Sequence, residues 1–159
     1  SDVAFINGLL GKEQNNPEFN AAYTIAKEVG MDVSFAEVDD LTVGGMETVR
    51  IRMTDQSGFE MVVIGESIGG GAFKIHYIDD CPMDIHGTNY ELVVFLKKAS
   101  QSAAEELAKK IAPQVESLND ICCVTGKAYS IINIKAGKEF SKELKVSLTA
   151  MSEVARLGL

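Results

Sequence analysis

Apolar side chains in the first thirty residues recur at helical spacing and predict two helices. Residues 3–10 are mostly apolar and Gly11 follows them, so we expect a short helix that ends at Gly11. A second helix is predicted from Pro17 to Val29, because Asn16 can cap it and proline suits the first helical turn. Its apolar residues repeat every three or four positions, which indicates one buried face.

From residue 33 the period of the pattern changes to two, which predicts strands. Val33 and Phe35 alternate with small or polar neighbours, and Val49 to Met53 alternate with Thr and Arg side chains. Three more alternating runs lie at 59–63, 73–77 and 83–85, after turn segments at 55–58, 69–71 and 79–80. This order predicts an antiparallel meander with helices on one face, an α+β plan.

The second half predicts strand, helix, strand, strand and helix, in that order. The strands are expected at 92–96, 120–124 and 129–134, with a turn at 125–127. Ser102 with Glu105 forms a capping box for the first helix, and Ser141 can cap the second. A ferredoxin-like unit needs one more strand. We expect none, because helical spacing continues to Ala155, so the chain would be a fragment or its sheet would lack an edge strand.

The formal net charge of −8 is spread unevenly along the chain. Residues 1–89 carry 15 acidic and 5 basic side chains, a net of −10, whereas residues 90–159 carry 8 and 10, a net of +2. This shift favours a domain boundary near Gly87, with domains at 1–87 and 88–159. The acidity argues against nucleic-acid and anionic-membrane partners, which need a basic surface.

The apolar content suits a globular protein but supplies no membrane segment. No apolar stretch approaches the roughly 20 residues that span a bilayer, and no signal-peptide pattern opens the chain. The three cysteines are few and odd in number, which indicates reduced thiols. We therefore expect a cytoplasmic protein without a membrane partner.

A run of three glycines is the strongest candidate for a binding site. Gly69, Gly70 and Gly71 follow Ser67 and Ile68 between two predicted strands. Backbone N–H groups of such a loop can form a nest that binds an anion. The alternative is a β-bulge or a wide hairpin that only turns the sheet.

The other reactive side chains predict neither a metal site nor a catalytic centre. Cys122 and Cys123 are adjacent on a strand and point to opposite faces, and no C-x-x-C motif occurs. We expect Cys81 to be an inert thiol as well. His76 falls on the strand face opposite the apolar residues, so it should be exposed or lie at an interface. Asp79 and its neighbour fit a turn.

Several short motifs occur in a fixed order along the first half. Ser67 to Gly71 is followed by Lys74-Ile75 and Ile78-Asp79. The upstream motifs are Asp2-Val3-Ala4, Gly8-Leu9-Leu10-Gly11, Ala26 to Gly30 and Thr48-Val49. Over residues 2–87 they resemble the beta domain of iron–sulfur-dependent bacterial L-serine dehydratases. A related glycine motif occurs in the allosteric substrate-binding domain of some D-3-phosphoglycerate dehydrogenases.

The resemblance implies a regulatory, non-catalytic beta region. It places a small amino-acid or anionic ligand, or a contact with the catalytic alpha domain, at Ser67, Ile68, Gly69, Gly70 and Gly71. It also implies that a separate alpha domain or subunit holds the iron–sulfur cluster and converts serine into pyruvate and ammonia, so this chain itself holds no cofactor. Residues 88–159 resemble an ACT domain.

Two alternatives and one assembly prediction accompany this hypothesis. The chain could instead be a regulatory or oligomerisation module of a D-3-phosphoglycerate dehydrogenase, or a stand-alone binding protein. Exposed strand edges favour pairing between subunits, so a homo-oligomer is expected in each case.

Overall fold

The computed structural model describes residues 2–13, 15–45 and 47–158. The chain divides into two compact units, Ser1–Asp40 and Leu41–Leu159. In the first unit, helix α1 spans Asp2–Leu9, a 3₁₀ turn spans Phe19–Ala21 and helix α2 spans Ala22–Glu28. Their small shared core is formed by Ile6, Ala22 and Ala26.

A buried asparagine joins the elements of this first unit. The Nδ2 atom of Asn7 donates hydrogen bonds to the carbonyl oxygens of Val3, at 3.0 Å, and Phe19, at 2.9 Å. Because Asn7 is only 1% exposed, these bonds offset the cost of burying its NH₂ group. They fix the 3₁₀ turn against α1.

Two predictions for this unit need correction. The α-helix begins at Ala22 rather than at Pro17, and Asn16 Oδ1 accepts a bond from the Glu18 N–H at 3.1 Å within the preceding turn. The alternation at 33–36 lies in a segment without strand structure. In the described part of this unit no strand is present for it to pair with, and an unpaired strand has no ladder to stabilise it.

The second unit begins with the predicted antiparallel meander, which is confirmed. Its strands are β1 Thr48–Thr54, β2 Glu60–Gly69, β3 Ala72–Ile78 and β4 Cys81–His86, in the spatial order β1-β2-β3-β4. Each strand pairs with the next one along the chain. The alternating patterns predicted these strands because one face of the sheet is buried.

A second antiparallel sheet carries two helices. Its elements are β5 Tyr90–Leu96, α3 Gln101–Ile111, β6 Leu118–Thr125, β7 Ser130–Ala136, α4 Lys142–Ala150 and β8 Val154–Gly158. The strands lie in the order β6-β7-β5-β8. The succession β-α-β-β-α-β is that of a ferredoxin-like unit. The described residues thus form an α+β structure with two four-stranded antiparallel sheets.

The prediction that this sheet lacks an edge strand was wrong. Helix α4 ends at Ala150, and Met151 already has extended backbone angles. Strand β8 follows and pairs with β5, for example Leu157 with Val94. Pairing with a distant strand overrides the helical spacing of the apolar residues, which continued to Ala155 in sequence.

The helix caps were predicted correctly in one case and wrongly in the other. Ser141 Oγ accepts a bond from the Leu144 N–H at 3.1 Å and caps α4, as predicted. Helix α3 is capped by Ser100, whose Oγ accepts from the Ala103 N–H at 3.2 Å, rather than by Ser102. Ser100 holds the extended backbone of a cap position, whereas Ser102 is already helical.

The second unit has a core on each face of the β5–β8 sheet. One face packs against α3 and α4 through Leu92, Val94 and Ile132. The other face packs against the meander through Val93 and Phe95, which meet residues such as Val63, Ile78 and Met83. The predicted boundary near Gly87 lies between β4 and β5, and the division into 1–87 and 88–159 stays a prediction.

An arginine from the last strand bridges the two sheets. The Cζ atom of Arg156 lies 3.6 Å from the ring centre of Phe59 and 4.4 Å from that of Phe95. A guanidinium over aromatic faces is attracted by the ring electrons. Arg156 therefore makes cation–π contacts with Phe59, just before β2, and with Phe95 of β5.

Candidate functional site

The triple-glycine segment forms the tip of the β2–β3 hairpin. Gly69 pairs with Ala72, which leaves Gly70 and Gly71 as a two-residue turn. All three glycines have positive φ, at 84°, 62° and 79°. Two-residue hairpin turns that twist with the strands need positive φ at both positions, which glycine adopts without steric cost. The local geometry is thus a tight two-residue turn, not the wide hairpin considered as an alternative.

The tip also contains the β-bulge considered in that alternative. The register shifts between Ser67 and Gly69, so Ile68 is an additional residue relative to the partner strand. Residues 67–71 are all exposed, Ile68 to 50%, and a Cβ atom on any of the three glycines would meet nothing within 4 Å. The segment protrudes and has no walls around it. Binding of a ligand there stays a prediction.

A polar cluster fastens the base of this hairpin. The Glu66 carboxylate accepts a hydrogen bond from the Gly45 N–H, and its Oε1 lies 3.2 Å from His76 Nε2. The two side chains are 17% and 18% exposed. Thr48 Oγ1 also donates to the Gly45 carbonyl at 2.6 Å. His76 was expected to be exposed or at an interface, and it is instead half-buried beside Glu66 in an irregular part of β3.

The environment of Glu66 makes the stability of this cluster depend on pH. The hydrogen bond from the Gly45 N–H, followed by the nearby His76 side chain, lowers the Glu66 pKa below its ordinary value of 4.5. A lowered folded-state pKa stabilises the protein above the unfolded pKa, and this contribution is lost as the pH falls through the folded value.

We expect Glu66→Gln to flatten the acid limb of the stability curve. Urea unfolding of the wild type should lose stability between about pH 5 and pH 3, and the variant should lose less over that interval. Glu106→Gln, at an exposed position of α3, serves as the control and should follow the wild type. Parallel curves for Glu66→Gln and the wild type would contradict the assignment.

The paired carboxylates at 79–80 join the two sheets rather than forming an acid–base pair. Asp79 accepts bonds from the Val62 N–H, at 2.8 Å, and from the Tyr129 hydroxyl. Asp80 Oδ2 accepts from the Lys127 N–H at 2.8 Å. Burial, with the bond to Asp79, raises the Tyr129 pKa, so its hydroxyl remains a donor. Asp79 thus has a structural role, and its left-handed φ of 50° suits an aspartate.

Replacing Asp79 with alanine should lower the free energy of unfolding by about 2–3 kcal/mol, because a buried N–H and a hydroxyl lose their acceptor. Asp79→Asn keeps an acceptor for the Val62 N–H and tolerates the left-handed backbone, so it should cost less. Tyr129→Phe should also cost less than Asp79→Ala. Urea unfolding of the three variants checks this order, and equal losses would contradict it.

The three cysteines lie on strands β4 and β6. Burial raises the pKa of the Cys81 and Cys123 thiols to about 11, so both are protonated near neutral pH. Cys122 is exposed and lies on the strand face opposite Cys123. Within 2–13, 15–45 and 47–158, no three His, Cys, Asp or Glu side chains form a metal-binding group. None of the described helices has the length and apolar character to cross a membrane.

A groove of about 360 Å³ opens beside the base of the hairpin. It is lined by residues from β3, β4, β5, the loop before α4 and α4 itself, among them Phe73, Ile85, Tyr90, Glu91, Phe140 and Lys145. The sequence pattern did not predict this groove, because its lining residues come from three separate stretches of the chain.

One signal for this groove is present in the sequence. Glu91 and Asn133 occupy strand positions whose neighbours two residues away, Val93 and Ile131, are buried in the shared core. Polar residues at inward positions of otherwise apolar strands indicate a polar cluster inside the protein. Asn133 Nδ2 donates to Glu91 Oε2 at 2.9 Å, and Lys135 Nζ lies 3.5 Å from Glu91 Oε1.

Two curated proteins are similar in sequence to part of this chain. The chain is 31% identical over 87 residues to the protein named L-serine dehydratase, beta chain, from Peptoniphilus asaccharolyticus, which covers 55% of this chain and 39% of that protein. It is 31% identical over 94 residues to the probable L-serine dehydratase, beta chain, from Bacillus subtilis (strain 168), with 59% and 42% covered. No family model matches the chain.

The similarity is therefore partial on both sides. The chain spans about two fifths of the length of the curated relatives it matches. Both names agree with the resemblance carried by the motifs at 2–87. The agreement supports a relationship to serine dehydratase beta chains.

Proposed function

We propose that this chain is the regulatory, non-catalytic beta region of an L-serine dehydratase. The observation that carries the proposal is its similarity to two proteins named as beta chains of that enzyme. The names also favour this hypothesis over a module of a D-3-phosphoglycerate dehydrogenase. In the proposal, an alpha domain or subunit binds the iron–sulfur cluster and eliminates water from serine.

The hairpin tip is proposed to contact the catalytic alpha domain. Residues 67–71 protrude, and Ile68 offers an exposed apolar side chain, as a docking element requires. Backbone N–H groups at the glycines are the second possibility, since they could receive a small anionic ligand at that contact. The half-buried Glu66 cluster supports the tip by anchoring its base.

The tip is tested by a pair of matched glycine variants. Gly70→Val and Gly58→Val both place a β-branched residue at positive φ, 62° and 85°, with no atom within 4 Å of the new Cβ. Both should lose similar stability, because the strain is the same. Only Gly70→Val should lose binding to a co-expressed alpha chain. Only this variant should also change the rate at which the alpha chain forms pyruvate. Equal behaviour of the two variants in both assays would overturn the role of the tip.

The second sheet is proposed to be an ACT-like module that associates with further copies. Its β-α-β-β-α-β order supports this, and the opposite net charges of the two halves favour attraction between copies. Light scattering should show an oligomer whose association weakens with added salt. A monomer at low salt would refute the association.

A further inference from the structure

The groove beside the hairpin has apolar walls suited to a small side chain. Phe73 and Tyr90 are 37% and 52% exposed, and Phe140 is 8% exposed at the other wall. Ile85 completes the apolar lining. A volume of about 360 Å³ lies at the lower end of the roughly 300–1,000 Å³ found for ligand pockets, which suits a molecule of amino-acid size.

Charges of both signs line the same groove. Glu91, with a side chain only 8% exposed, is bonded to Asn133 and paired with Lys135, whose Nζ lies 3.5 Å from the buried Glu91 Oε1. Glu139 adds an exposed carboxylate, and Lys145, a half-buried residue of α4, adds a positive charge. A ligand that matches this lining carries both an ammonium group and a carboxylate.

We propose that this groove binds a free amino acid with an apolar side chain. Its ammonium group is received by the Glu139 carboxylate, its carboxylate by Lys145, and its side chain by the aromatic walls. This deepens the proposed regulatory function, because it assigns a ligand class and a site distinct from the exposed glycine tip. It rests on that function only in expecting a ligand-binding chain.

Calorimetry with single-charge analogues tests the ligand class. L-Leucine should bind saturably, while 4-methylpentanoate, which lacks the amine, and isopentylamine, which lacks the carboxylate, should bind at least about tenfold more weakly. L-Serine should also bind more weakly, since it leaves the apolar walls uncovered. No binding of L-leucine, or equal binding of leucine and either analogue, would overturn the proposal.

Variants of α4 and its preceding loop test the location. Lys145→Met should weaken L-leucine binding at least about tenfold, and Lys142→Met, on an exposed position of the same helix, should not. Glu139→Gln should weaken binding, with exposed Glu143→Gln as its control. If Gly70→Val abolishes leucine binding and Lys145→Met leaves it unchanged, the ligand lies at the tip and the groove assignment falls.

The two proposals fail separately. If this protein binds and regulates an alpha chain but does not bind leucine, the groove proposal is refuted and the regulatory function stands. If leucine binding depends on Lys145 but no complex with an alpha chain forms, the groove proposal stands and the dehydratase assignment is refuted.

Discussion

Gly65→Ala should lower the free energy of unfolding by about 2–3 kcal/mol, as expected for overpacking at a site that cannot relax freely. A Cβ atom at Gly65 would lie 2.4 Å from Phe73 Cε1 and 2.7 Å from the backbone oxygen of Lys74. Phe73 could turn aside, but the Lys74 carbonyl belongs to the paired strand β3. The sheet itself must therefore shift.

Gly87→Ala is the matched control for this variant. Gly87 has no positive φ, and a Cβ atom there meets nothing within 4 Å, so alanine should leave stability unchanged or raise it slightly. Urea unfolding of both variants measures the contrast. A Gly65→Ala protein as stable as the wild type would mean that Phe73 and the carbonyl are not fixed as described.

Lys135→Met should destabilise the protein by about 3–5 kcal/mol, because it leaves the buried Glu91 carboxylate without its charge partner. Lys135 is 8% exposed, and its Nζ also donates to the Asp84 carbonyl of the neighbouring sheet. The double variant Glu91→Gln/Lys135→Met removes both charges together. It should recover most of the loss, since no uncompensated charge remains.

An exposed ion pair supplies the control for this cycle. Lys138 lies beside Glu116 with side chains 61% and 74% exposed, and Lys138→Met should leave stability almost unchanged. The double-mutant cycle by urea unfolding gives the coupling between Glu91 and Lys135 directly. Losses that simply add in the double variant would show that the two charges do not interact.

The sequence predicted the meander well because its strands pair with their neighbours along the chain. Alternating residues such as Val49 and Ile51 face one core, and turns at 55–58 and 79–80 carry residues that fit turns. Strand β8 was missed because its only strand partner among the described residues is β5, about sixty residues earlier. Local spacing contains no information on that pairing.

The candidate site divides in the same way. The glycine tip was found because a turn with positive φ leaves a local signal in composition. The groove was missed because Phe73, Glu91 and Lys145 meet only after both sheets have formed. Asp79 was predicted to lie in a turn, but its bond to Tyr129, fifty residues later, was not visible in the pattern.

The strand order implies a sequence of events during folding. Every strand of the meander finds its partner next along the chain, whereas β5 has to wait for β7 and β8. Local contacts close at a lower entropy cost than distant ones, so we expect the meander to form before the second sheet. Its inner residues Val63, Ile78 and Met83 then face water until Val93 and Phe95 are in place. A meander that forms early would expose these apolar residues, so we expect a chaperone that shields apolar strands to raise the yield of folded protein.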